Sequence, residues 1–381
     1  MARREAQPGQ PTVRDVAAAA GVSTATAARA LGGYGRVSAG VRERVAGAAA
    51  ALGYRPNVLA RSMITGSSHT LGVIIADIEN PFFATAVRGI ADTAHEAGFQ
   101  VVLANTDEDL EKERAAVGIL LEKRVDGLLV AATSAADAAH LREAVARGLP
   151  LVCLDRVVPG LATDAVVVDS LRAAHNAVSH LLRLGHRRIA IVAADEQDPP
   201  SEEVLAAAPP WGLPGALPDA ARLCGYLTAH RAAGVAVAPE LVRRCRYGRE
   251  TAAAEAAAVL RLAQPPTAIF TTDAIMTLGA MEAIVASGLV IPDELSVVAF
   301  DDADWITLLR PPLSVVAQPV YELGATATRR LLERIAGSES PPEVIVLDTT
   351  FIVRESTRRA APAESEIPPG IGQSREVAEL P

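Results

Sequence analysis

Between Leu71 and Phe300 the chain alternates short apolar runs with longer amphipathic ones, and this alternation restricts the fold more than any other feature. The runs Leu71 to Ile75, Val101 to Ala104, Gly127 to Ala131, Leu151 to Leu154, Ile189 to Ala193, Ala268 to Thr271 and Ser296 to Phe300 read as strands. Stretches such as Phe82 to Ala97 and Glu111 to Lys123 read as amphipathic helices. Strand and helix in turn predict parallel sheets with helices on both faces, an α/β core. Ligands in such folds lie at the carboxyl ends of strands. The polar residues standing just past those ends are Asp77 and Asn80, Asp155, Asp273, and Asp301 with Asp302. "EVIVLDTTFIVRES" reads as closing strands of this core, and the Pro- and Glu-rich segment from Arg359 to Pro381 as a disordered tail.

Ahead of the core lies a segment of opposite charge. Residues 1–66 hold nine Arg against Glu5, Asp15 and Glu43, a sum of +6, although the whole chain of 381 residues carries −9. The body therefore carries −15. A basic head on an acidic body directs nucleic acid to the head and repels it from the rest. Thr12 with Asp15 forms a variant capping box that opens a helix, and Gly21 supplies the tight turn that ends it. Ser23 caps a second helix running to about Leu31, on which Thr24, Ala25, Ala28 and Arg29 share an outward arc of 140° at about 100° per residue. Ala27 and Ala30 face the first helix. Two short helices about a Gly-containing turn make a helix-turn-helix, and small side chains let the second helix approach the major groove closely. A third helix is capped by Ser38 and stopped by Gly53. Past it, "LGYRPNVLARSMITG" holds a helix too short to be stable alone, expected to order on DNA beside a second copy.

On these residues the sequence resembles the lactose-repressor (LacI/GalR) family of bacterial transcription regulators. The resemblance runs through Val13, Asp15 to Ala17, Ala20 to Ser23, Arg29, Val37, Ser38 and Leu52 to Asn57 in the head. It continues through "LGVIIADIENPFFATAVRGI", "VDGLLV", "LDR", "LGHRRIAIV", "LGAMEAI", "IPDELSVVAFDD" and "RPPLSVVAQP" in the body. It implies a helix-turn-helix head and hinge helix joined to a periplasmic-binding-protein-like core of two doubly wound parallel-sheet subdomains. The segments expected are an arm (1–11), the head (12–56), the hinge helix (57–66), the core (67–358, with crossovers near 167 and 300–330) and the tail (359–381). The DNA contacts implied fall on Thr12, Ser23, Thr24, Ala25, Thr26, Arg29, Asn57, Ala60, Arg61 and Met63. Arg29 would read guanine, and Met63 would serve as a minor-groove wedge where the family has Leu. The effector contacts implied fall on Asp77, Phe82, Phe83, Asp155, Arg222, Asp273, Asp301 and Gln318. The partners implied are double-stranded operator DNA, a second copy of the chain, and a small effector. A sugar is favoured by the resemblance, with a nucleoside or other polyol left open.

Three departures stand out. Asp273-Ala274 replaces an Asn-Asp pair usual in the family, exchanging an amide for an acceptor-only carboxylate. Ala28 stands where a phosphate-binding Ser is usual. Asp195 to Ala221, with Trp211, reads as an irregular excursion over ten residues longer than expected, beside the cleft mouth. Other classes find little support. The sequence has no GxSxG, GxxxxGK[ST] or HExxH motif and no GxGxxG after a strand, so neither enzymatic activity nor a cofactor is expected. Cys153, Cys224 and Cys245 are widely spaced and read as buried thiols. His175 and His180 read as helix-surface residues with no metal role. Neither a signal peptide nor an apolar run of about 18 residues is present, which places the chain in the cytoplasm with no membrane partner.

Overall fold

The computed structural model describes residues 11–33, 35–54, 67–194 and 217–361. The first segment of the molecule is a three-helix head. Helices α1 (Val13–Ala20), α2 (Thr24–Gly32) and α3 (Ala39–Ala51) enclose a small core of Val16, Ala17, Ala20, Ala27, Ala30, Val45 and Ala49. Thr12 caps α1 and is capped in return by the Asp15 carboxylate, 2.7 Å from the Thr12 N–H. Gly21 takes a left-handed φ of 66°, so the chain reverses sharply into α2. Ser38 occupies the cap position of α3 but its side chain makes no capping bond, contrary to the role expected of it.

The body comprises two six-stranded sheets. The first runs β11-β5-β4-β3-β1-β2 with every pair parallel: β1 (Thr70–Ile75), β2 (Gln100–Asn105), β3 (Gly127–Val130), β4 (Leu151–Leu154), β5 (Asp164–Val168) and β11 (Val344–Leu347). The second runs β12-β10-β9-β8-β6-β7: β6 (Ile189–Ala193), β7 (Val242–Arg244), β8 (Ala268–Thr271), β9 (Ser296–Phe300), β10 (Ser314–Ala317) and β12 (Thr350–Ile352). Only β12 is antiparallel to its neighbour. The first five strands of each sheet follow one order and direction, and the subdomains differ at the sixth, where β11 is parallel and β12 antiparallel to its neighbour. Apolar strands buried on both faces require helices on both, and these are present. On the first sheet α4 (Pro81–Glu96) and α11 (Val320–Ile335) cover one face, while α5 (Leu110–Glu122) and α6 (Ala139–Ala146) cover the other. On the second, α7 (Ser170–Arg183) and α8 (Pro218–Ala232) lie opposite α9 (Arg249–Leu260) and α10 (Ala274–Ser287).

The chain passes between the sheets three times: into α7 after β5, into α11 after β10, and between β11 and β12. The closing strands therefore belong to different sheets, one to each. Each crossover helix packs in the subdomain it enters. At the α4–α11 crossing, a Cβ on Gly89 would stand 2.1 Å from the Tyr321 carbonyl oxygen and one on Gly324 2.1 Å from that of Ala86, so the two backbones touch through these glycines. Arg334 and Arg330 of α11 hold the buried Asp164 carboxylate at the start of β5 (Arg334 Nε 2.6 Å), keeping it ionised below its ordinary range even though burial opposes this.

Several local expectations change. His175 and His180 are half-buried. His175 Nδ1 lies 3.2 Å from Thr228 Oγ1 on α8, and His180 packs edge-on against Phe351 with Nε2 3.1 Å from Thr357 Oγ1. The excursion expected through Ala221 ends earlier, because Pro218 opens α8 at a position where its missing N–H costs nothing. The tail expected from Arg359 is ordered through its first residues: the Ala360 N–H donates to the Leu184 carbonyl at 2.9 Å. All three cysteines are buried thiols. No described helix is long and apolar enough to cross a membrane.

Candidate functional site

The carboxyl ends of both sheets face one another across a cleft, and a small recess of about 40 Å³ at its floor gathers side chains from both subdomains. From the first come Asn80 and the adjoining Phe82 and Phe83 of α4. Asn80 Oδ1 caps that helix by accepting the Phe82 N–H at 2.9 Å. Asp155 and Arg156 follow β4, and Glu108 follows β2. From the second come Asp219 and Arg222 on the first turns of α8, Tyr247 beyond β7, Asp273 at the cap of α10, and Asp301 beyond β9. Asp155 and Asp301 are topological counterparts, and both take a left-handed φ, 65° and 74°. Each turns its carboxylate out of the strand end into the cleft, a strained backbone of the kind stored at binding sites.

The charges are buried and unevenly matched. Arg156 is 8% exposed and bonds Glu108 through both terminal nitrogens, at 2.9 and 2.5 Å, and the Ala132 carbonyl at 2.7 Å. Arg222, 4% exposed, donates through Nη1 to the Thr272 carbonyl at 2.7 Å and lies over the Phe300 ring at 4.0 Å. Asp301 accepts from Gln318 Nε2 at 2.5 Å. Asp273 spends one oxygen, Oδ1, on the Ile275 and Met276 N–H groups at 2.6 and 2.9 Å. Burial pushes Asp219 up to about 6 and, with the Asp219 charge added, Asp273 up to about 8. Burial also raises Asp155 and Asp301, against the pull of nearby guanidinium groups. Five buried atoms here make no hydrogen bond to the described protein: Asp155 Oδ1, Arg156 Nε, Asp219 Oδ1, Arg222 Nε and Asp273 Oδ2.

Tyr247 joins the two walls. Its hydroxyl donates to Asp77 Oδ2 at 3.1 Å and accepts from Asn80 Nδ2 at 3.1 Å, a link between subdomains. Beside the recess opens a larger pocket of about 640 Å³, walled by Phe82, Asp301, Trp305, Gln318 and Val320 among others. Of the effector residues expected from sequence, Phe82, Phe83, Asp155, Arg222, Asp273 and Asp301 thus line the recess, Gln318 lines the larger pocket, and Asp77 meets the site through Tyr247. Phe82 and Phe83, edge to face at 5.1 Å, also belong to the apolar core. Asp302, also noted at this strand end, pairs with Arg354 (2.7 Å) outside the recess. Tyr247, Asp219, Arg156, Glu108 and Trp305 were missed.

On the head, Thr24, Ala25 and Arg29 are exposed along the outward face of α2, opposite the buried Ala27 and Ala30. Arg29 Nε donates to the Ala25 carbonyl at 3.2 Å, laying its stem along the helix. Ser23 Oγ accepts the Thr26 N–H at 3.1 Å and lies 2.8 Å from Thr26 Oγ1. Thr12 is engaged with Asp15. Asn57, Ala60, Arg61 and Met63 lie outside the described residues.

Comparison with known proteins agrees with both halves of this arrangement. Residues 12–57 match the model of bacterial regulatory proteins, lacI family, and residues 178–357 that of a periplasmic binding protein-like domain. The chain is 34% identical over 348 residues to the HTH-type transcriptional repressor CytR of Escherichia coli K12, covering 91% of this chain and 96% of that protein. The chain belongs to the lacI family of bacterial regulatory proteins. This lacI-family protein is also 31% identical over 348 residues to the transcriptional regulator DegA of Bacillus subtilis, covering 91% of this chain and 98% of that one. Among solved structures it resembles the lac repressor dimer bound to operator and the anti-inducer ONPF, with TM-score 0.75, 27% identity, and 92% of this chain and all of that one covered. It likewise resembles a complex of the regulator CelR with cellobiose, with TM-score 0.65, 30% identity, and 91% and 100% covered.

Proposed function

We propose that this protein is a transcriptional repressor that binds a near-palindromic operator as a homodimer and whose operator affinity is set by a small polar effector in the cleft, a sugar being favoured. The observation that carries this reading is the set of buried, unpartnered polar atoms in the recess. A buried polar atom without a partner costs about 1–3 kcal/mol, and here Asp155 Oδ1 comes from one subdomain and Arg222 Nε and Asp273 Oδ2 from the other. A ligand satisfying both sets binds the closed cleft better than an open one, and differential affinity of this kind shifts a conformational equilibrium. The cellobiose in the CelR complex and the anti-inducer and operator in the lac repressor complex support the same division of labour. Opening or closing the cleft changes the separation of the two segments leading to the heads, and so the fit to two half-sites.

The test begins with selection of bound duplexes from a random DNA library by the full-length chain. Operator binding is then measured by fluorescence anisotropy, with and without sugars and nucleosides that raise the melting temperature. Arg222→Ala and Asp301→Ala should keep ligand-free operator affinity and lose the response to ligand. If both variants respond as the parent does, the cleft does not hold the effector.

A further inference from the structure

Resting on that reading of the cleft, the balance of charge in the recess narrows the chemistry of the effector. Four carboxylates, Asp155, Asp219, Asp273 and Asp301, line it together with Arg222, because the other guanidinium, Arg156, is matched by Glu108. Asp273 is 4% exposed, and its Oδ1 is committed to capping α10, so in this recess-lining residue Oδ2 is left buried and unpartnered, an acceptor once its proton is lost. An asparagine here would cap with its oxygen and offer two N–H donors to a ligand. Aspartate caps in the same way and offers an acceptor. Asp219, one helical turn before Arg222, adds a second carboxylate whose Oδ1 is also unpartnered. Among the described residues no group of three or more His, Cys, Asp or Glu is arranged to hold a metal ion.

We propose that the effector is an amine-bearing polyol, of the amino-sugar class, whose ammonium group sits between Asp219 and Asp273. Size agrees with charge. The recess, about 40 Å³, accepts a small polar group and no ring, while the adjoining pocket of about 640 Å³, sharing Phe82 and Asp301 with it and adding Trp305, has room for one or two rings. The ring stands on the aromatic walls with its hydroxyls toward Asp301 and Gln318, and the ammonium points down into the carboxylates. An ammonium donates three hydrogen bonds and accepts none, which suits acceptors lacking donors. The raised carboxyls of Asp219 and Asp273 fit the same arrangement: at pH 7 and without a counter-charge Asp219 is largely ionised while Asp273 holds a proton, and an arriving ammonium displaces that proton to solvent.

The probes are glucosamine, galactosamine and mannosamine, each with its N-acetyl derivative and neutral parent hexose, plus neutral nucleosides, titrated calorimetrically into the full-length protein at pH 7. At least one amino sugar should bind tenfold or more tightly than both its N-acetyl derivative and its parent. Asp273→Asn, which keeps the helix cap, and Asp219→Asn should each cut that preference at least tenfold, with circular dichroism and melting curves showing a folded protein. Neutral sugars or nucleosides that bind as well as the amines, a preference unaltered in both variants, or no binding by any amino sugar overturns the proposal. The two readings fail differently. Neutral-ligand binding that is lost in Arg222→Ala refutes the amine and keeps the cleft as effector site, whereas binding indifferent to Arg222→Ala and Asp301→Ala refutes the cleft itself.

Discussion

Tyr247→Phe removes one oxygen atom and, with it, both hydrogen bonds that tie the second subdomain to the Asp77–Asn80 loop of the first. The tyrosine ring stays packed beside the core of its own subdomain, so folding should be preserved. Burial, with the charges of Asp273 and Asp77, holds the phenol well above its ordinary range, so it acts as a neutral donor at any working pH. The two lost bonds are unequal. Asp77 is partly exposed and regains water, but Asn80 is 5% exposed and keeps a donor stranded in the closed state. At a net ~0.5–1.5 kcal/mol per bond, closure should weaken by about 1–3 kcal/mol, a shift of roughly 5–150-fold toward the open form. Small-angle scattering on the ligand-free protein should show a larger radius of gyration. Calorimetry should show weaker binding of any cleft ligand, with the loss smaller than for Arg222→Ala. A radius and an affinity equal to those of the parent would refute the idea that this link biases closure.

Other expected outcomes follow from the same structure. Arg29→Ala should cost roughly 1–3 kcal/mol on the selected operator and relax preference at one base position, measured by anisotropy on single-base operator variants; an equal loss on random DNA would make Arg29 a phosphate contact. Gly89→Ala inserts a methyl against a backbone carbonyl that cannot rotate away, so thermal unfolding should show a loss of about 1–3 kcal/mol or more, whereas Gly98→Ala, with open space around it, tests only the backbone strain of its left-handed φ. Asp273 holds its proton more tightly folded (about 8) than unfolded (about 3.8), so its contribution to stability is present below pH 4 and drains away as pH rises toward 8. Melting curves of Asp273→Asn should therefore come nearest the parent at pH 4 and gain on it progressively from pH 4 to 8, levelling above that; a parallel pH dependence in both would contradict the raised carboxyl.

Much of the core and half of the recess were legible in the sequence because long apolar runs and strand-end carboxylates leave a clear pattern. The elements that escaped were the weak ones. Strand β7 is three residues, Val-Arg-Arg, on a sheet edge, where Arg243 is paired to Glu255 and no apolar run is needed. Had that edge been recognised, Tyr247 would have stood out as the polar residue just past its end. Asp219 was hidden in a Pro-rich stretch read as loop, although Pro218 at the first helical position was an available sign that a helix begins there. The swap of α7 and α11 between subdomains depends on tertiary packing, including glycine contacts such as Gly89 against Tyr321 that no local pattern reveals. Arg156 was visible beside Asp155, but its pairing with Glu108, 48 residues away, belongs to the fold.

The coupling between cleft and head is tested most directly by a thermodynamic cycle on the full-length protein. Operator affinity is measured at zero and saturating ligand, and ligand affinity at zero and saturating operator, using the best ligand and operator from the screens above. Linkage requires both ratios to be the same number, and a regulator of this kind has a coupling factor of about 5–150. The expected result is a factor clearly different from one, identical in both directions and collapsing to one in Arg222→Ala. A ligand that saturates the cleft and leaves operator affinity unchanged would contradict control of the head by the core.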